Sequence, residues 1–424
     1  MANAPQSDPD CQKAIDERLA DLGDPATLSD PREHAPWNTL VQLLRSAAEQ
    51  HCDEIHIEPE RHCLRVRFLR LGCFQEIQID TAYELNSTLE WLQQRLPSLQ
   101  TVQTFSRDWF VFKIGSNQSV YQVELVLTAY GKHCVIRKLH DYKKRIPELD
   151  ELIINPAQYR QLKNILNAGS GLMLFAGLEP NHLMTTLRSA AQSLASPERR
   201  IVIAETDMPP RMARTTQIIM GNPPDTAQLQ SFHMACQQSA DVIVANDTCL
   251  QPVKLMPLAT GKSLVLQGVI ADRHSSAVAQ VIASGVRPEV IAETLLGIAI
   301  QHRVARLCLA CRIPQQLNNA EISWLNAHQP IRENDISAWL NDRMEDRFSS
   351  AQGCDLCNGT GIAQIMTVLD ITEPDVTVRD AMYNNDVPST IMLLRHTDPD
   401  AQRFVKLAQS GIIPLSEAMR VTQI

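Results

Sequence analysis

Glycine is scarce in this sequence: 16 of 424 residues, about 4% against a typical ~7%. Loops that wrap phosphate groups use glycine for left-handed backbone angles and for close approach. The deficit therefore argues against a working phosphate-transfer enzyme. Long apolar runs are also missing. None approaches the roughly 18 residues needed to cross a bilayer, so no transmembrane segment is expected. The opening stretch MANAPQSDPD has neither a basic end nor an apolar core, unlike a signal peptide, and a cytoplasmic protein is expected. Basic residues number 39 against 48 acidic ones, a net charge of −9, which argues against nucleic acid as the main partner. There is no internal repeat and no low-complexity block.

Cysteine, by contrast, is plentiful. Eleven cysteines without a secretion signal point to thiols or metal ligands rather than disulfides. Two C-x-x-C pairs stand out, Cys308–Cys311 and Cys354–Cys357, with residues 312–353, 42 in all, between them. Each pair presents two thiolates from one tight turn, and two turns complete a tetrahedral S₄ site suited to structural Zn²⁺. The other seven (Cys11, Cys52, Cys63, Cys73, Cys134, Cys236 and Cys249) show no such spacing, and core packing is the better reading for most of them.

Residues 1–35 are rich in Pro, Asp and Ala with little periodicity and read as a mostly disordered tail. A helical pattern over Pro36–Cys52 places Leu40, Leu43, Leu44 and Ala47 on one face. Strand-like stretches follow: EIHIEP, CLRVRFLRLG and CFQEIQID. After a helix near Glu84–Leu96 come WFVFKIG, VYQVELVLTA and KHCVIRKL. This is an α+β domain over 36–150. In EIHIEP, His56 and Glu58 alternate with Ile55 and Ile57, the mark of a half-buried strand. Beyond residue 150 the pattern changes to short apolar runs (LMLF, RIVIAE, DVIVAND, SLVLQGV) separated by helical segments, which means a largely parallel sheet. Arg287–Cys308 reads as a long helix, with proline near its start and Leu295, Ile298 and Val304 inward.

The stretch MLFAGLEPNHLMTTLRSA has the outline of a strand, a phosphate loop and a helix. A phosphate loop reads G-x-x-x-x-G-K-[ST]. Gly177 supplies the first glycine, but Leu183 and Met184 stand where lysine and Ser/Thr belong. Pro180 removes an N–H and Glu179 brings a carboxylate. His182, Thr185 and Arg188 lie nearby, but none takes the lysine's place. A second G-K-S, within Thr260–Ser263, has Met256 where the loop needs its first glycine, and precedes a strand.

Together these pieces resemble the ATPases of type II secretion and type IV pilus assembly, the GspE/PilB type, from about residue 38 onward. DEIHIEP (Asp53–Pro59) looks like that family's S-D-I-H-I-E-P. The strands bearing Arg67 and Arg137 look like its arginine-bearing strands. ARLCLAC…GCDLCNGTG looks like its tetracysteine module, and GIIPLSEAMRVTQI like its closing helix. The resemblance implies an α/β fold: a PAS-like α+β amino-terminal domain (36–150), a RecA-like parallel-sheet domain (151–305), a zinc module (306–372) and a helical carboxyl-terminal segment (373–424). It implies a cytoplasmic hexamer, peripheral at the inner membrane through its partners, with Arg67 and Arg137 reaching a neighbour's nucleotide. It also marks the chain as a degenerate member. Glu205, Asp241 and Asp247 are remnants of catalytic boxes. Thr206 and Cys249 replace an aspartate and an arginine, and Lys262 and Val269 replace two histidines. No bound ATP or Mg²⁺ is expected. The function implied is an inactive homologue acting as a structural or regulatory subunit, with an active paralogous ATPase or inner-membrane platform proteins as partners. A nucleotide sensor, or a weak ATPase with an unusual loop, is the alternative. In place of the nucleotide, Glu179 or Asp247 is expected to meet Arg67 or Arg137 across a subunit joint.

Overall fold

The computed structural model describes residues 20–422 except 23–32, 62, 71–72, 78–81, 101–103, 115–116, 142–144, 154, 207–208, 221–225, 247–251, 253–254, 329–347, 358 and 398–400. Most of the expected tail, Cys11, Asp247 and Cys249 therefore lie outside the described residues. The chain divides into two compact units, one of residues 1–145 with 207–213, the other of 146–206 with 214–424.

The first unit is a seven-stranded sheet in the order β1-β5-β6-β7-β2-β3-β4. Its strands are β1 (Ala20–Asp21), β2 (Glu54–Pro59), β3 (Leu64–Arg70), β4 (Cys73–Ile77), β5 (Phe105–Ile114), β6 (Asn117–Thr128) and β7 (Gly131–Asp141). Only β1 is parallel to its neighbour, and it comes from the stretch expected to be tail. Leu22 after it is buried, and its carbonyl accepts a 3.0 Å hydrogen bond from Trp37 Nε1. Helices α1 (His34–Glu49) and α2 (Ala82–Arg95) close one face with Leu40, Leu44, Leu85 and Leu92 against Ile57, Phe68, Phe110 and Phe112. The period-2 alternation of β2 sends Ile55 and Ile57 into that core and Glu54, His56 and Glu58 to the other face.

The second unit holds a seven-stranded sheet in the order β10-β9-β11-β12-β8-β13-β16. These are β8 (Gly171–Ala176), β9 (Ile201–Glu205), β10 (Thr215–Ile219), β11 (Val242–Asn246), β12 (Leu264–Val269), β13 (Leu295–Leu307) and β16 (Ile362–Thr372). All neighbours are parallel except β13 and β16. Every residue of β8, β9, β11 and β12 is buried, as covering on both faces requires. The helices at or before the start of this sheet are α3 (Leu149–Leu152) and α4 (Pro156–Leu166). Next come α5 (Pro180–Leu194), which packs on β8, β11 and β12, α6 (Thr226–Gln237) and α7 (Met256–Ala259). Helices α8 (His274–Ala283) and α9 (Pro288–Thr294) follow, and α6 to α9 share one core cluster with Leu172, Val202 and Ile243.

The expected helix over Arg287–Cys308 is a correction. Only α9 is helical, and the chain turns at Leu295 into β13. Ile298, Ala299, Ile300 and Gln301 are consecutive and all buried, which leaves no solvent face for an amphipathic helix. The run is held between β8 and β16 by ladders on both sides. Leu295, Ile298 and Val304 are core, as expected.

After β13 come β14 (Arg312–Pro314), α10 (Asn319–His328) and β15 (Ser349–Ala351), the two short strands pairing antiparallel. The closing helices are α11 (Val376–Tyr383), α12 (Val387–Arg395), α13 (Ala401–Gln409) and α14 (Leu415–Thr422). Asp375 and Asp386 cap the first two by accepting the N–H groups of Val378 and Ser389. Helices α10, α13 and α14 form a satellite core with Val304, Phe348, Met366 and Val368. No described helix is long and apolar enough to cross a membrane.

Candidate functional site

Ligands of parallel α/β sheets bind beyond the carboxyl ends of the strands. Here those ends bring together Gly177 after β8, Glu205 of β9, Asn246 of β11, Val269 of β12 and Gln301 of β13. Between β8 and α5 there is room for only Gly177, Leu178 and Glu179. Pro180 is the first helical residue, and its fixed φ starts the helix early. Leu183 N–H is then already spent on Glu179 O at 3.0 Å. A phosphate loop needs such N–H groups turned outward around the anion.

Leu183 is fully buried. A Cβ placed on Gly177 would lie 3.8 Å from Leu183 Cδ1, and one on Gly268 would lie 3.2 Å from its Cδ2. The leucine therefore fills the space over both glycines. Met184 is also buried, and Thr186 Oγ1 donates to Gln301 Oε1 at 2.6 Å. Thr185 Oγ1 donates to Asn181 O within the helix.

The charged groups here are paired with one another. Glu205, fully buried, accepts from Arg188 Nε at 3.1 Å and Nη2 at 2.6 Å, a forked pair, with Gln217 Nε2 at 3.3 Å. Glu179 pairs with Arg303 and, at 3.5 Å, with His182. His302, on the wall beside Gly177, has its pKa pushed down to about 3, by burial first and by Arg403 second, so it carries no charge. Asp241 does not join the group. It precedes β11 at the amino-terminal end of the strands, away from this group, where its Oδ2 accepts Arg200 N–H at 2.8 Å. The G-K-S turn lies at that same end, with Ser263 Oγ donating to Ala240 O at 2.7 Å.

In the first unit, Arg67 and Arg137 are held by glutamates of their own sheet. Arg67 pairs with Glu58 and lies over the Phe74 ring. Arg137 Nε donates to Glu54 Oε1 at 2.6 Å, and its Nη1 to Gln122 Oε1 at 3.2 Å. Burial raises the pKa of both carboxyls, but the bonds from His56 and Arg137 to Glu54, and from Arg67 to Glu58, bring them below the usual range.

The four cysteines do come together. Cys308 and Cys354 sulfurs lie 3.8 Å apart, Cys311 and Cys357 3.8 Å, and Cys354 and Cys357 3.7 Å. A zinc–sulfur bond of ~2.3 Å gives a tetrahedral edge of about 3.8 Å, so the residues present fit the ion. Gly353, at φ +90°, makes the turn possible: a Cβ there would sit 2.3 Å from Gly359 O. Although burial raises the Cys357 thiol, N–H groups of Cys354 and Gly361 at 3.2 Å bring it down to about 6, favouring the thiolate ligand. Of the other cysteines, Cys134 and Cys236 are buried in the cores as expected, whereas Cys63 is exposed.

Sequence reasoning missed the Arg188–Glu205 pair and the tie between Glu179 and Arg303. Two signals were there to find. Arg188 follows Leu183, Met184 and Leu187 on the buried face of one helix, and Glu205 ends the apolar run IVIA. A buried charge in either place demands a partner.

The model of the family described as Type II/IV secretion system protein matches residues 31–420. This chain belongs to that family. Type II secretion system protein HxcR of Pseudomonas aeruginosa is 22% identical over 430 residues, covering 96% of this chain and 82% of its own length. Type II secretion system protein E of Klebsiella pneumoniae is 24% identical, covering 96% and 79%. The type IV pilus assembly ATPase PilB of Thermus thermophilus is 22% identical over 82% of this chain but 38% of its own length. Among solved structures, the Legionella pneumophila ATPase DotB superposes with a TM-score of 0.58 at 12% identity, over 96% of this chain and 99% of that one. The pilus retraction motor PilT with bound ADP gives 0.54 at 14% identity, over 91% and 97%. The fold is thus the α/β one expected, with a parallel-sheet domain and a four-cysteine cluster.

Proposed function

We propose that this chain is a non-hydrolysing member of its family, a structural or regulatory subunit of a type II secretion or type IV pilus machine. The observation that carries the reading is Leu183, buried in apolar contact where a phosphate-binding lysine would extend. Phosphoryl transfer depends on positioned charge, and such a site supplies neither the cation nor the open N–H groups. Glu205 is committed to Arg188, and Glu179 sets a carboxylate against incoming phosphate. Lost chemistry beside well-packed cores favours use of the surface, since most core substitutions destabilise.

The names of the relatives support a place in secretion or pilus assembly. The partners are then a catalytically intact relative or inner-membrane platform proteins, met in the cytoplasm at the membrane face. The oligomer is a ring of the hexameric kind, with the polar sheet face bearing Arg67 and Arg137 at the subunit joint. Glu179 answers Arg303 within its own unit, so it is Arg67 and Arg137, with their glutamates, that remain for that joint. One Zn²⁺ per chain holds the four-cysteine turns together, and its role is structural.

The test has two arms. Purified protein with MgATP is expected to show no turnover and no nucleotide-dependent melting shift; either signal overturns the inactive assignment. Light scattering with an intact relative from the same cell is expected to show a mixed oligomer that Arg137→Glu weakens. A monomer indifferent to the relative at micromolar concentration ends the assembly role.

A further inference from the structure

The polar face of the first sheet carries a second constellation with metal-ligand chemistry. His56 and Glu58 are two residues apart on β2, so they share a face, and His133 stands beside them on β7. His56 Nδ1 and His133 Nε2 are 3.3 Å apart, and a Glu58 oxygen lies 3.9 Å from the latter. All three ligand atoms fall within 4.8 Å of one another. For metal–nitrogen bonds of 2.0–2.1 Å, a tetrahedral edge is about 3.3–3.4 Å, the nitrogen separation found here.

The surroundings set the tautomer. His56 Nε2 lies 2.8 Å from Glu54 Oε2, and a carboxylate can only accept, so that nitrogen carries the proton and, in the neutral ring, Nδ1 has the lone pair. A carboxylate on the far nitrogen of a ligating imidazole is the usual orienting partner at zinc sites. The Phe74 ring meets His56 edge-on at 4.9 Å and limits its rotation. Three side chains on adjacent, paired strands need little movement to close on an ion.

We infer that His56, His133 and Glu58 form a second divalent transition-metal site, of zinc-like preference, separate from the four-cysteine cluster and leaving one coordination position open to water or a further ligand. The ion would compete with Arg67, which holds Glu58 when no metal is there. His133 and Arg67 face the same Glu58 oxygen while Arg65 holds the other at 3.2 Å, so an ion on that oxygen would weaken the Glu58–Arg67 pair.

The inference does not depend on the chain being inactive towards ATP. Its test is zinc titration of the full chain against a chromophoric chelator. Two classes of site are expected. His56→Gln and His133→Gln should each remove the second class and leave the first. Glu54→Gln should weaken it about tenfold to a hundredfold, and Arg67→Gln should tighten it. Because a variant can lose its fold, and the cysteine cluster belongs to the other unit, amide hydrogen exchange over β2 and β7 serves as the control for each histidine variant. As an independent reading, Co²⁺ added to Cys354→Ser/Cys357→Ser should give d–d absorption without sulfur charge transfer, and His133→Gln should abolish it. A wild-type chain with only one class of site, or a second class that survives both histidine substitutions, overturns the inference.

Discussion

Restoring the missing lysine should injure the fold before it restores any chemistry. In Leu183→Lys, a side chain with no exposure, set over Gly177 and Gly268, is replaced by an ammonium. Loss of the buried leucine alone costs about 2–3 kcal/mol. Placing a charged head in the same apolar space adds a further ~2 kcal/mol even if the lysine bends outward or loses its proton. The sum, about 4–5 kcal/mol, should lower the melting temperature by roughly 10–20 °C for a unit of this size. Adding Met184→Thr supplies the hydroxyl but not the loop, because Pro180 still begins the helix and the Leu183 position still spends its N–H on Glu179. Differential scanning calorimetry and a coupled ATPase assay on the single and double variants measure both consequences. A double variant that melts within a few degrees of wild type, or hydrolyses ATP, would refute the reasoning.

Three further outcomes are expected. Arg188→Ala should cost about 3–5 kcal/mol in denaturant titration by leaving the buried Glu205 with Gln217 but no countercharge, whereas Arg188→Met with Glu205→Leu should return most of it; equal damage from both would exclude the pair as the cause. Elemental analysis of protein kept from chelators should find zinc that Cys354→Ser loses, and Gly353→Ala should weaken its retention because the turn cannot hold a Cβ; zinc-free protein defeats this. In acid, Glu54 and Glu58 have folded pKa values below the ordinary 4.5, so their stabilisation is complete above that pH and fades as pH falls through the folded values. Glu54→Gln should therefore flatten the acid limb of the stability curve of the first unit, and an unchanged limb would remove Glu54 from its origin.

Periodicity and spacing carried much of this fold. Strands β2 to β7 of the first unit, β8, β9, β11 and β12 of the second and the cysteine quartet were legible, whereas β1, in the expected tail, and β10 were not. Alternation in EIHIEP and the two C-x-x-C turns are local patterns with one physical solution each. Residues 295–307 were misread because a strand buried on both sides shows no alternation, and an apolar run after a helix start looks like more helix. The loop defects were visible as substitutions, but not their consequence. That Leu183 packs inward, that α5 begins at Pro180 and that Arg188 reaches Glu205 depend on which segments the sheet order sets side by side. His133 was invisible for the same reason, since its link to His56 spans 77 positions.

The four-cysteine cluster also sets the tolerance of the chain between its halves. Cys311 and Cys354 are fixed by the cluster, and the ladder from Arg312 to Ala351 closes the same neck a second time. Helix α10 is anchored through Trp324 and Leu325 in the satellite core, and Phe348 returns to that core. A segment entering and leaving through a doubly closed neck can change length with little effect on the rest, because closing a loop costs only about 0.6 kcal/mol more for each doubling. His328 and Phe348, the described residues on either side of that stretch, are thus held in the satellite core and beside the four-cysteine neck whatever the length between them.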